Sequence, residues 1–274
     1  MPAAALGRSA LWIGFFAVIL ASWWVMYTMA TGMGMDLFGR MAMPMGEMGA
    51  VTGGMSDGMA GGMGGMSGSQ MDMGMTSLSV LIPMWMIMMA AMMGPTFVFA
   101  TATYGDLITT GAGSRAGQLG LVLGFLMVWF GFGAVLGVVH TQFFKLGWLN
   151  TMGSSTSALF SAALLIIAGL YQFTPLKDRC AAHCRSPMVH FLAHWRPGFV
   201  GGVRMGARDG AFCIGCCWAI MALGFVGGAM NLAWMGAATL IMTLEKLPDL
   251  GRWMTRPLGA AFCVAGLGLA LTAF

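Results

Sequence analysis

The stretch CIGCCW at residues 213–218 contains the densest group of soft metal ligands in the sequence. Cys213, Cys216 and Cys217 stand at positions i, i+3 and i+4, so in a helix their three thiols fall on one face. Three thiols on one face suit a trigonal or tetrahedral site for a soft metal such as Cu(I). A thiol-redox centre is the alternative interpretation, and both remain open at this point.

The stretch CAAHC at residues 180–184 is a second group of ligands. Its two cysteines are one helical turn apart, with a histidine beside them. We predict metal or redox chemistry here, in a site shared with the 213–217 thiols if this segment folds back on them. The candidate ligands are Cys180, His183 and Cys184. Further on, His190 and His194 repeat the one-turn spacing, and for these two packing at the bilayer interface is the favoured interpretation.

Methionines crowd the stretch MWMIMMAAMM at residues 84–93. With a spacing of four residues, several of them form one helical stripe with a second stripe beside it. Thioether sulfur is a neutral, soft ligand for Cu(I), but methionine is also a flexible core residue, and both interpretations stay open. Pro95, just beyond, is expected to free a backbone carbonyl in the preceding turn. The candidate ligands are Met84, Met88, Met89, Met92 and Met93.

A glycine-rich segment between residues 33 and 75 contains 13 methionines in 43 residues. It has neither helical nor alternating periodicity, so we expect it to be disordered without a ligand. Methionine binds metal without losing a proton, so thioethers spaced two or three residues apart on a flexible chain can hold Cu(I) in many registers. The candidate ligands are Met43, Met45, Met63, Met66, Met71, Met73 and Met75.

The elements that must position these residues are membrane helices. The chain is 58% hydrophobic and 8% charged, whereas a soluble domain carries about 25% charged residues. Spanning the hydrocarbon core takes about 20 apolar residues, and seven segments approach this length. They are residues 10–30, 78–104, 118–139, 156–173, 211–228, 230–245 and 257–273. We therefore predict an all-α, polytopic membrane protein with about seven transmembrane helices.

The basic residues predict the orientation, because Lys and Arg in short loops resist translocation. With a cytoplasmic N-terminus, 11 of the 13 basic residues lie on the inner side and only Arg40 and Lys145 lie outside. The predicted layout is a first helix at 1–30, an extracytoplasmic methionine segment at 31–76 and a helical bundle at 77–274, whose cytoplasmic Cys/His loop is 174–210. Asp209 and Glu245 are expected at inner helix ends, where solvation satisfies their charge.

Three stretches resemble a family of bacterial predicted metal-binding integral membrane proteins that includes the tyrosinase-associated membrane copper chaperone. They are WMIMMAAMM at 85–93, YQFTPLKDRCAAHCRSP at 171–187 and residues 213–247, which begin with CIGCCW. The resemblance covers most of residues 78–250. It implies copper handling by the cysteines named above and by the methionines of residues 84–93, whereas the methionine segment at 33–75 is not part of the resemblance. Members often carry a histidine just before the cysteine cluster, where this chain has Asp209. A carboxylate is a poorer partner for Cu(I) than an imidazole.

The expected function is that of a copper chaperone or delivery factor in the bacterial inner membrane, handling Cu(I) for a maturing copper enzyme. An accessory subunit of a membrane copper oxidase or monooxygenase complex and a Cu(I) transporter are the alternatives. The partners would be that enzyme or complex and the lipid bilayer. The sequence has no phosphate-binding loop, no Ser-His-Asp set and no paired carboxylates, so we expect neither an enzyme nor an ATP-driven pump. Because the basic residues are spread over several loops, we expect no nucleic-acid partner.

Overall fold

The computed structural model describes residues 2–32, 34–40, 77–150, 153–248 and 250–273, and its regular elements are all helices. The first five are α1 (Pro2–Gly32), α2 (Leu78–Thr109), α3 (Arg115–Lys145), α4 (Ala158–Tyr171) and α5 (Pro175–Arg185). The other five are α6 (Pro187–Ala193), α7 (Gly198–Ala222), α8 (Gly224–Gly227), α9 (Leu232–Glu245) and α10 (Leu250–Thr272). The all-α prediction is confirmed. The seven candidate ligands between Met43 and Met75 lie outside the described residues.

Each of the seven predicted membrane segments is helical. Within the described ranges, five helices are long and apolar enough to span a bilayer, and a sixth span arises if α4 and α5, bent by 67° to each other, count as one. Apolar α9 is only 14 residues long, about 21 Å at 1.5 Å per residue, and falls short of a hydrocarbon core about 30 Å thick.

The segment expected as a loop at 174–210 is mostly helical. It contains α5 and α6, and α7 begins at Gly198 instead of near residue 211. The first half of α7 is rich in glycine and arginine, which lowers both its hydropathy and its intrinsic helix propensity. Packing against α3 explains why this half is nevertheless helical.

Helices α3 and α7 pack through facing glycines. A Cβ at Gly202 would overlap the carbonyl of Gly117, and one at Gly206 would overlap the carbonyl of Leu121. Similarly, a Cβ at Gly120 of α3 would overlap the carbonyl of Phe199 in α7. Small residues allow such close backbone approach in membrane helices. This contact fixes the height and rotation of α7, and therefore of the cysteines on it.

Helix α1 packs against α2 at the turn that contains Pro95. Proline has no N–H, so the carbonyl four residues earlier, that of Ala91, has no helical donor. The indole Nε1 of Trp23 donates to this carbonyl at 3.0 Å, and Gly94 leaves room for Ile19 of α1. The carbonyl freed by Pro95 therefore exists as expected, but it joins two helices, and α2 continues unbroken through the proline.

Candidate metal centre

Helix α7 places the predicted thiols deep inside the bundle. Cys213 lies about 22 Å along the helix from its first residue, Gly198, whereas the predicted segment 211–228 placed it near a helix start. Cys213, Cys216 and Cys217 are each no more than 3% exposed. As the i, i+3, i+4 spacing predicts, they share one face of α7.

Helix α5 brings a fourth thiol to this face. The side chain of Thr174 caps the helix by accepting the backbone N–H of Lys177, and Pro175 occupies the first turn, the usual place for both residue types. Two side chains then fasten this region to α7: the Tyr171 hydroxyl donates to the Gly215 carbonyl, and the Lys177 ammonium donates to the Cys216 carbonyl. The fold-back on which the shared site depends is therefore present.

Three sulfur atoms, those of Cys184, Cys213 and Cys216, all lie within 4.8 Å of one another. The Cys184 and Cys216 sulfurs are 3.8 Å apart, and the Cys217 sulfur lies 3.2 Å from that of Cys216. Thiolates about 2.3 Å from a common metal are themselves about 3.8–4.0 Å apart. The spacing of the Cys184 and Cys216 sulfurs therefore fits a shared ion. All six cysteines of the chain are free thiols in the structure.

The other two candidates on α5 lie beside the trio. The Cys180 sulfur packs against Gly215. The Nε2 atom of His183 donates to Oδ1 of Asp209 at 2.9 Å, and its ring stacks on those of His190 and Phe212. At position 209, where the resemblance implies a histidine, this chain has an aspartate, and its carboxylate binds the His183 imidazole of α5.

His190, for which packing at the bilayer interface is predicted, stacks on the imidazole of His183 in the structure. The ring centroids of His183 and His190 are 3.6 Å apart. Burial, and to a smaller extent the neighbouring His183, lowers the pKa of His190 below its usual value. His190 is therefore biased towards the neutral imidazole, the form that binds metals. The more distal His194 is exposed.

Charged residues beside the thiols were missed by sequence reasoning. Glu245, expected to be solvated at a helix end, is 4% exposed and pairs with the 1% exposed Lys177 at 2.8 Å. The ammonium of Lys246, 6% exposed, lies 3.0 Å from the Cys213 sulfur. The expectation for Glu245 is wrong because α9 ends inside the bundle, and helix length alone signalled this.

The candidate methionines of α2 are buried on the inside of the bundle. All five are at most 3% exposed and belong to the same continuous core as the thiols; they are Met84, Met88, Met89, Met92 and Met93. One turn further along α2, Thr96 and Phe97 line a cavity of about 20 Å³ whose other walls include Cys184, Cys213 and Lys246. Such a cavity has room for one water or ion. The methionine run therefore ends one turn before the residues that line a cavity beside the thiols.

This arrangement of soft ligands agrees with the family to which the sequence is similar. A family model described as PpoB2, a copper chaperone, matches residues 82–269, from near the start of α2 to the last turn of α10. Every candidate cysteine and every α2 methionine named above falls in that range. No curated protein and no solved structure gives a match.

Proposed function

The chain belongs to the PpoB2 copper chaperone family, and we propose that it binds Cu(I) within the membrane and delivers it to a copper enzyme during maturation. The observation that carries this proposal is the convergence of the Cys184, Cys213 and Cys216 sulfurs within 4.8 Å. In this proposal the protein lies in a bacterial inner membrane with its N-terminus in the cytoplasm. It performs no chemistry on a substrate, and copper is its cargo.

The ligand chemistry favours Cu(I) over harder ions. Thiolates and thioethers are soft donors that select Cu(I), whereas Mg²⁺ and Ca²⁺ prefer oxygen ligands. Cys184 and Cys213 come from α5 and α7, so binding ties two elements together. Cys217, 3.2 Å from Cys216 by sulfur distance, offers an adjacent thiol to which the ion can move by ligand exchange. A fourth thiol beside the three proposed ligands suits a protein that must also release its cargo.

The methionines supply the approach to this site in our proposal. Neutral thioethers bind Cu(I) without proton release and more weakly than thiolates, so an ion can pass along them and stop at the cysteines. Met88 and Met92 lie on the side of α2 that faces the bundle interior, because both are 3% exposed. The methionine segment before α2 would capture Cu(I) first, with Met43 and Met63 among its ligands.

Anaerobic titration tests the proposal. The detergent-purified protein competes with a chromophoric Cu(I) chelator, and we expect one tightly held Cu(I) per chain in the wild type. Cys213→Ser and Cys216→Ser should weaken Cu(I) binding about 100-fold, since each removes one thiolate from the site. Copper K-edge absorption should show sulfur-only coordination.

Cys263→Ser is the matched control, because Cys263 lies on α10 against Gly169 of α4 and apart from the trio. It should bind Cu(I) as the wild type does. A wild type that leaves all copper with the chelator, or a Cys213→Ser variant with unchanged affinity, would contradict the proposed function.

A further inference from the structure

Helix α9 ends inside the bundle with two neighbouring charges, Glu245 and Lys246. Glu245 is fully accounted for: its Oε2 pairs with the Lys177 ammonium at 2.8 Å, and its Oε1 accepts from the Gln172 amide at 3.2 Å. The charges of Lys177 and Glu245 therefore neutralise each other. Because Lys177 and Gln172 occupy the Glu245 carboxylate, that carboxylate does not balance the charge of the Lys246 ammonium.

Lys246 is directed at the thiols. Its Nζ atom lies 3.0 Å from the Cys213 sulfur. Within the described ranges, the ion pairs are Lys177–Glu245 and His183–Asp209, and Lys246 belongs to neither. A buried ammonium is costly unless a negative group lies beside it, and at Lys246 that group is a cysteine sulfur. The lysine is thus a positive charge built into the wall of the thiol site.

We propose that Lys246 is a specificity residue that makes the thiol site prefer a monovalent soft cation to a divalent one. This inference rests on the proposed metal binding by Cys184, Cys213 and Cys216. The same sulfurs also suit Zn(II), which binds readily to thiolate sites. A fixed positive charge a few ångströms from the ion repels Zn(II) twice as strongly as Cu(I), and the repulsion is poorly screened in an apolar interior.

The charge balance points in the same direction. With the sulfur ligands held in one ionisation state, the Cu(I)-loaded site carries one more negative charge than the Zn(II)-loaded site. The Lys246 ammonium therefore stabilises the Cu(I)-loaded site more than the Zn(II)-loaded site. For any fixed set of sulfur ligands, therefore, removal of the lysine charge favours the divalent ion relative to the monovalent ion.

The test compares Cu(I) and Zn(II) affinities of the full-length protein in detergent, each measured anaerobically by competition with a chelator of known affinity. In Lys246→Met, we expect the ratio of Zn(II) to Cu(I) affinity to rise about tenfold or more. Lys246→Arg keeps the charge and should keep the wild-type ratio. Lys145→Met removes a lysine from the exposed end of α3 and should also leave the ratio unchanged.

An unchanged ratio in Lys246→Met would overturn the inference, as would an equal rise in Lys246→Arg. A wild type that binds no Cu(I) would instead overturn the proposed function, so the two failures are distinguishable. If Lys246→Met is not recovered folded, Lys246→Gln takes its place. In a further arm, Lys246→Met should also raise the affinity for Cd(II) relative to Ag(I), two soft ions of different charge, and an unchanged ratio would contradict the inference.

Discussion

Individual residues around the thiols show why a membrane interior tolerates so much charge here. Lys177 and Glu245 lie at most 4% exposed and pair with each other, and Gln172 satisfies one carboxylate oxygen. The lysine also donates to the Cys216 carbonyl. This pair therefore holds α5, α7 and α9 at the level of the metal centre. Replacing either partner alone should therefore lower the stability of the protein.

Removing one member of this pair should destabilise the protein. Lys177→Met leaves the Glu245 carboxylate buried without its partner, and we expect it to lower the free energy of unfolding by about 3 kcal/mol or more. The double variant Lys177→Met with Glu245→Met replaces both charges by apolar side chains and should recover much of this loss. Unfolding in detergent, followed by circular dichroism, measures both variants.

Lys145→Met again serves as the control and should unfold as the wild type does. The single variant Glu245→Met completes the comparison. If the losses of Lys177→Met and Glu245→Met simply add in the double variant, then the ion pair contributes no coupling energy to the fold.

Some of the metal centre could be predicted from residue spacing. The shared face of Cys213, Cys216 and Cys217 follows from helical periodicity, and the approach of Cys184 was predicted on the condition that its segment folds back. The short predicted segment at 230–245 was the one sign in the sequence that Glu245 is buried, but its pairing with Lys177 and the contact of Lys246 with Cys213 could not be predicted. They depend on where α9 stops inside the bundle, which is a property of tertiary packing, and a charged pair after an apolar segment usually indicates solvent.

At the scale of elements, the contact between α3 and α7 determines the position of the thiols. The helix bounds of α7 were misjudged because glycine and arginine in its first half resemble a connecting loop. In the structure, α3 packs directly against Gly202 and Gly206 of α7. Helix propensity is a weak guide where two backbones approach this closely.

This contact predicts an unequal response to two similar substitutions. Gly206→Ala introduces a methyl group that overlaps the Leu121 carbonyl, so α7 must move away from α3, and we expect a loss of about 2 kcal/mol in unfolding free energy. The shift also displaces Cys213 from Cys184, so Cu(I) affinity should fall. Thermal unfolding in detergent and the chelator titration measure the two effects.

Gly224→Ala is the matched control, because a Cβ at Gly224 meets no atom within 4 Å. It should unfold and bind Cu(I) as the wild type does. Equal stability and equal Cu(I) affinity of the two alanine variants would contradict this prediction, because the α3–α7 contact could then relax without moving the cysteines.

At the scale of the whole molecule, several connections gather at one end of the bundle. The Ala233 backbone N–H donates to the Leu37 carbonyl, and the Ser155 N–H donates to the Phe225 carbonyl. Helix α10 runs antiparallel to α4, with Gly266 beside Ala162 and Gly259 beside Gly169. One end of the bundle therefore contains the chain after α1, the first turns of α4 and α9, and the C-terminal end of α10.

The structure also changes the charge argument for orientation. Lys177 and Lys246 were counted among the basic residues of the inner loops, but both are buried beside the thiols, so they carry no information about topology. Nine of the eleven inner basic residues remain, against Arg40 and Lys145 outside. The bias towards a cytoplasmic N-terminus persists, since the positive-inside rule depends on the difference between the two sides.

Reporter fusions test this orientation. Alkaline phosphatase, which is active only outside the cytoplasm, should be active when fused after Leu37, Asn150 or Thr272, all at the end of the bundle that α10 reaches. Green fluorescent protein, which fluoresces only when it folds in the cytoplasm, should be bright after Ala112 or His194, in the connections at the opposite end. Each site carries both reporters in turn, so every fusion has its own internal control. The reversed pattern at all five sites would place the N-terminus outside, and the methionine segment would then face the cytoplasm, where it could not capture copper arriving from outside the cell membrane.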